Sequence, residues 1–79
     1  MTDTLAIFHS ACQHVCDNRA EKSLNYAVGY ALSGLDMHQP EACRVQCIYI
    51  LNNMHNWRGA VAKECRADFK RLSKKGAWD

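Results

Sequence analysis

The chain has a single proline and only four glycines, too few turn-formers for an all-β fold with its many tight reversals. No segment alternates with period two for long, which argues against strands. No apolar run approaches the ~18 residues needed to span a membrane. The first residues lack the basic stretch followed by an apolar one that marks a secretory signal, and Asp3 with no early arginine sets them apart from a transit peptide. Catalytic signatures are missing as well. There is no Gly-x-Ser-x-Gly, no phosphate-cradling glycine loop and no HExxH. Ser10, His14 and Asp17 share one helical face, but a hydrolase triad also needs a sharp turn and an oxyanion hole. Glu64 and Asp68 sit among Lys63, Arg66 and Arg71 and read as surface ion pairs. These absences point away from an enzyme.

What remains is a helical pattern. With 79 residues, 48% of them hydrophobic, residues 1–79 make one domain near the lower size limit for a core without staples. Leu5, Phe8, Cys12, Val15 and Cys16 recur at three- and four-residue steps and predict a helix from Thr4 to Asp17, capped by Thr2 or Asp3. Asn18 followed by Glu21 resembles a capping box, so a second helix is expected from about Arg19 to Ser33. Its stripe is Leu24, Ala27, Val28, Ala31 and Leu35, and the two segments could equally be one bent helix. Gly29 would permit a close helix approach, and Gly34 suits a left-handed C-terminal position. Residues 36–39 form a turn, and Pro40 opens a third helix running to about His55. That helix is apolar over much of its circumference, as a central helix would be. Asn56 can cap a fourth helix to about Lys74, with Val61, Cys65, Phe69 and Leu72 inward and Gly76 ending it. The expected fold class is an all-α compact bundle of three to four short helices.

The five cysteines fall as Cys12/Cys16, Cys43/Cys47 and Cys65. Zinc ligand pairs usually sit on turns, whereas these pairs are spaced i, i+4 inside apolar stripes, where cysteine behaves as a small hydrophobe. A buried reduced core is favoured, and an odd count fits a reducing, cytoplasmic compartment. A Cys/His site using His9 with Cys12 or Cys16 stays open as a zinc-stabilised alternative. The twin Cys-x3-Cys pattern is similar to that of the small chaperones of the mitochondrial intermembrane space, which bridge two such pairs across a hairpin. The likeness covers four cysteines, and the 26 residues between the pairs exceed that family's spacing.

Charge is unevenly spread. Residues 58–75 carry seven basic and two acidic side chains, and the rest carry three and six. A basic fourth helix can follow a phosphate backbone, with Asn52, Asn53 and Asn56 upstream able to read bases. A pI near 8.3 is low for that role, and a charged last turn also suits the helix dipole. Tyr26, Tyr30, Tyr49, Trp57 and Trp78 exceed what so small a core can enclose, and Tyr, Trp and Arg are common interface anchors. The candidate partner-binding residues are therefore Tyr49, Trp57, Arg58, Lys63, Arg66, Lys70 and Arg71.

The segment from Tyr49 to Lys63, with Trp57-Arg58-Gly59 at its centre, resembles a helix–WRG–helix element of small phage and prophage proteins. The resemblance implies a mobile-element origin and an accessory or inhibitor role, anti-CRISPR proteins being the sharpest example. The expected function is then a non-enzymatic helical binding module for a host protein or nucleoprotein complex, with no cofactor and no membrane. Nucleic-acid binding through the basic helix is the alternative, and a second copy of the chain is a further candidate partner, because pairing adds core to a short chain.

Overall fold

In the computed structural model, which describes residues 3–78 and Asn25 through its backbone, the Asp3 carboxylate accepts a hydrogen bond from the Ala6 N–H at 3.2 Å. That bond caps the first helix, α1, Thr4–Asp17, with the bounds the periodicity predicts. Thr2, the other candidate cap, lies outside the described residues. Phe8, Ala11, Cys12, Val15 and Cys16 are buried along one side of α1.

The chain then departs from expectation. Asn18 does not open a second helix. Its side-chain amide donates to the His14 carbonyl at 2.7 Å and its backbone N–H to Val15 at 3.1 Å, so it closes α1 instead. Turns follow, then a short 3₁₀ segment, Lys22–Leu24, and α2 begins only at Asn25 and runs to Gly34. The first two segments are thus two helices, not one.

Neither glycine of α2 plays its expected role. Gly59 is the one described residue with positive φ, at 115°, and Leu35 after Gly34 stays right-handed. Gly34 is needed for closeness. A Cβ there would lie 2.9 Å from the Cys12 sulfur and 3.0 Å from Phe8 Cζ. Among the described residues, a Cβ on Gly29 would meet no side chain or neighbouring element within 4 Å.

Gln39 is extended and Pro40 takes the first position of α3, Pro40–Asn52. The helix stops short of His55 because the Asn53 side chain donates to the Tyr49 carbonyl at 2.8 Å. It is also not wrapped on all sides. Cys43, Gln46, Cys47 and Ile50 are buried, while Ile48 and Tyr49 face out. Asn56 is exposed and caps nothing; Gly59 precedes α4, Ala60–Leu72, with a backbone that side chains rarely adopt. On α4 the buried positions are Ala62, Cys65, Phe69 and Leu72. Val61, expected inward, is 44% exposed, and Ala62 takes its place. Gly76 does not end α4; it belongs to a 3₁₀ turn, Lys75–Trp78. This turn folds back on the bundle. The Trp78 indole N–H donates to the Leu72 carbonyl at 2.7 Å, the Thr4 hydroxyl donates to Ala77 at 3.2 Å, and Trp78 meets Phe8 edge-on. Trp78, with no burial legible in the sequence, is half-buried.

The result is an all-α bundle of four helices with no strand among the described residues. α1 and α3 each pack on both α2 and α4, so α2 and α4 lie diagonally across the bundle. The radius of gyration is 11.3 Å, against about 12 Å for a compact domain of this length. No helix among the described residues is long and apolar enough to cross a membrane.

Candidate functional site

All five cysteines are buried and free. They come from α1, α3 and α4 and fill the bundle core with Phe8, Leu24, Ile50 and Phe69. Loss of hydration pushes the Cys65 thiol up to about 11 and the Cys47 thiol up to about 12. Cys12 is raised further, by burial first and then by the other four sulfurs around it. Such thiols stay protonated and unreactive at neutral pH. No group of three or more His, Cys, Asp or Glu side chains among the described residues is placed to hold a metal ion. The Nε2–H of His9 donates to the Met37 carbonyl at 2.7 Å, and its ring meets that of His38. Along the Ser10, His14 and Asp17 face, the Asp17 carboxylate accepts from Gln13 at 2.9 Å, and all three residues are exposed.

The structure divides the seven candidate partner-binding residues. Trp57, expected as an exposed anchor, is only 4% exposed and belongs to the core. The guanidinium of Arg66 donates to the Trp57 carbonyl at 2.6 Å and to the Met54 carbonyl at 3.4 Å. This half-buried arginine therefore pins the segment before Gly59 onto α4, satisfying carbonyls that no helix uses. Arg58 is exposed beside it. Lys63, Lys70 and Arg71 project from the outer side of α4, and Lys74 and Lys75 continue the exposed run. Arg71 reaches Asp68 at 4.0 Å. Among the described residues Lys63, Lys70 and Lys74 have no ion-pair partner. The basic run ends at a shallow cleft of about 440 Å³ where Arg71 and Lys74 stand over Ile7, Leu72 and Ala77.

Tyr49 belongs to a different surface. It stacks on Tyr30 of α2, with ring centroids 5.5 Å apart and planes 20° apart. The buried Gln46 fixes this junction by donating its amide to the Tyr30 carbonyl at 2.7 Å. Tyr26, one turn before Tyr30, is 71% exposed. Tyr26 and Tyr30 are missing from the candidate set although their i, i+4 spacing is visible in the sequence. A second signal was also there: Asn25–Gly34 contains no charged residue, and neither does the stretch 45–53. The molecule therefore carries a cationic face on α4 and, from the diagonal helix, an uncharged tyrosine face. Compared with known proteins, the chain matches no protein family, no curated protein and no solved structure.

Proposed function

We propose that this chain is a non-enzymatic helical binding module that holds an acidic surface of a host protein or nucleoprotein complex against the outer face of α4. The observation that carries this reading is the exposed run of Lys63, Lys70 and Lys74, without ion-pair partners among the described residues, beside Arg71. A stripe of one sign steers an oppositely charged partner and raises its association rate. The apolar floor of Ile7, Leu72 and Ala77 at its end favours a protein partner, since an acidic segment can seat an apolar side chain there. The phage-type accessory or inhibitor role, anti-CRISPR-like, rests on the resemblance around Trp57-Arg58-Gly59.

The same lysines favour a second reading, in which α4 follows a nucleic-acid backbone. Capture of partners from a bacterial lysate, with and without nuclease, separates the two. A protein retained by the wild type after nuclease, and lost with Lys63→Glu plus Lys70→Glu, supports the module. Capture that disappears with nuclease moves nucleic acid to first place. Capture that ignores the double variant removes α4 from the site.

A further inference from the structure

We infer that the tyrosine face of α2 and α3 is a self-association surface, on which a second copy of this chain docks by two-fold pairing of its own α2 face.

The first observation is Gly29. Glycine in the middle of a helix is disfavoured, because it loses the most backbone freedom on folding. Gly34 repays this by letting α1 approach, whereas among the described residues no side chain or neighbouring element comes within 4 Å of a Cβ built on Gly29. Gly29 and Ser33 are exposed and leave a shallow place on α2 between Tyr26 and Tyr30. Internal packing gives no reason for the missing side chain; close approach of a helix from outside does.

The second observation is charge. In a two-fold pair the same patch lies on both sides of the interface, so a face whose charges are of one sign repels its copy. The α4 face, with Lys63, Lys70, Arg71 and Lys74, is excluded from self-pairing on that ground. The α2 face has no charged residue from Asn25 to Gly34, nor does α3 from Val45 onward. Interface centres are depleted in charge and enriched in tyrosine.

The third is area. Tyr26, Tyr30 and Tyr49 are 71%, 39% and 48% exposed, together about 300 Å² of aromatic surface. That is the lower end of the largest apolar patch an ordinary monomer exposes, a patch that is often functional, and two-fold pairing uses it twice. The Tyr30–Tyr49 stack and the Gln46 bond to the Tyr30 carbonyl hold two of the three rings in place before association, which lowers the cost of docking.

Because α2 and α4 are diagonal, a pair joined through α2 leaves two α4 faces pointing outward. The dimer would then present the proposed partner-binding surface twice, and a partner with two acidic sites would be held more tightly. The pairing itself does not depend on what α4 binds.

Light scattering and sedimentation on the purified full chain test it directly, with no partner present. The wild type is expected to shift from 9.0 kDa to twice that mass as concentration rises from micromolar to millimolar. Gly29→Arg, whose side chain has open space in the single chain, and Tyr26→Lys, at the most exposed tyrosine, should each weaken the dimer at least about tenfold with unchanged helical circular dichroism. Lys63→Glu on the far face should leave it intact. A wild type that stays at 9.0 kDa at millimolar concentration overturns the proposal. So does a dimer that persists in both folded α2 variants, which would place the contact elsewhere. Neither result bears on lysate capture through α4, so the two proposals fail separately.

Discussion

Gly34 of α2 lies so close to Cys12 of α1 that a single methyl group added at residue 34 would come within 2.9 Å of the Cys12 sulfur. Phe8 closes the same space at 3.0 Å, and both side chains are fully buried. Neither can retreat without disturbing the core, since packed interiors hold few voids. Gly34→Ala should therefore destabilise the fold by about 1–3 kcal/mol despite its gain in helix propensity. Gly29→Ala, on the same helix but facing open space, should stabilise the single chain by about 0.5–1 kcal/mol. Urea denaturation of the two variants in dilute solution checks both signs. Equal behaviour would mean that α1 and α2 do not approach at Gly34.

Trp57 and Arg66 form a structural pair, and this changes how any binding surface should be mapped. Removing the buried indole with Trp57→Ala should cost about 3–5 kcal/mol. A domain of this length has only about 4–12 kcal/mol in total. Arg66→Ala should cost about 1–2 kcal/mol by leaving the Trp57 carbonyl without its charged donor. Thermal unfolding followed by circular dichroism measures both. Loss of partner capture in Trp57→Ala would then report unfolding, whereas Arg58→Ala at the exposed neighbour should leave the melting temperature unchanged.

Signals confined to one helix were legible in the sequence, and signals requiring a second helix were not. The bounds of α1 follow from a local stripe and the Asp3 cap, the start of α3 from Pro40, and the burial of all five cysteines from their place in apolar stripes. Asn18 failed because the same side chain can serve either helix end, and only the fold shows that it serves His14. The close approach falls at Gly34 and not at Gly29 because it depends on Cys12 and Phe8, more than 20 residues away. The burial of Trp57 is not legible because composition does not say which of several aromatic residues the core admits. Within the candidate set, the basic residues of α4 stay together because they share one helix, while Tyr49 leaves them because α3 turns it toward Tyr30.

The thiols give the fold a pH limit. Burial raises Cys65 from its ordinary 9.0 to about 11 and Cys47 to about 12, and raises Cys12, Cys16 and Cys43 as well. At least a pH unit below 9 the thiols are protonated both folded and unfolded, and their contribution to stability does not change. Above it the unfolded chain loses protons that the folded chain keeps, so stability falls as pH rises through about 9 to 12. Denaturant midpoints should be flat from pH 7 to about 8, begin to fall as pH nears 9 and drop steeply beyond it. Iodoacetamide at pH 8 should leave the five native cysteines unlabelled and modify all five in denaturant, read by intact mass. Rapid labelling of the native chain would show that the sulfurs are not enclosed.

The lysine face of α4 makes a prediction about salt that separates its two readings. If Lys63, Lys70, Arg71 and Lys74 each neutralise a phosphate, the logarithm of the binding constant should fall with the logarithm of salt concentration with a slope of about −3 to −4. Lys63→Glu plus Lys70→Glu should then weaken binding strongly and flatten the slope by about 2 or more, because two contacts are lost and two repulsions are added. An acidic protein partner releases no condensed counterion layer. For it, salt should act mainly on the association rate, with a shallower dependence of the equilibrium constant. Loss of apolar contact in the cleft should then matter as well: Ile7→Ser, at a half-buried position beside Arg71 and Lys74, should speed dissociation from a protein but leave nucleic-acid binding unchanged. Surface plasmon resonance at three salt concentrations, with the wild type and these variants, reads all of this. A steep slope with no effect of Ile7→Ser assigns α4 to a phosphate backbone, and a shallow slope with faster release assigns it to a protein.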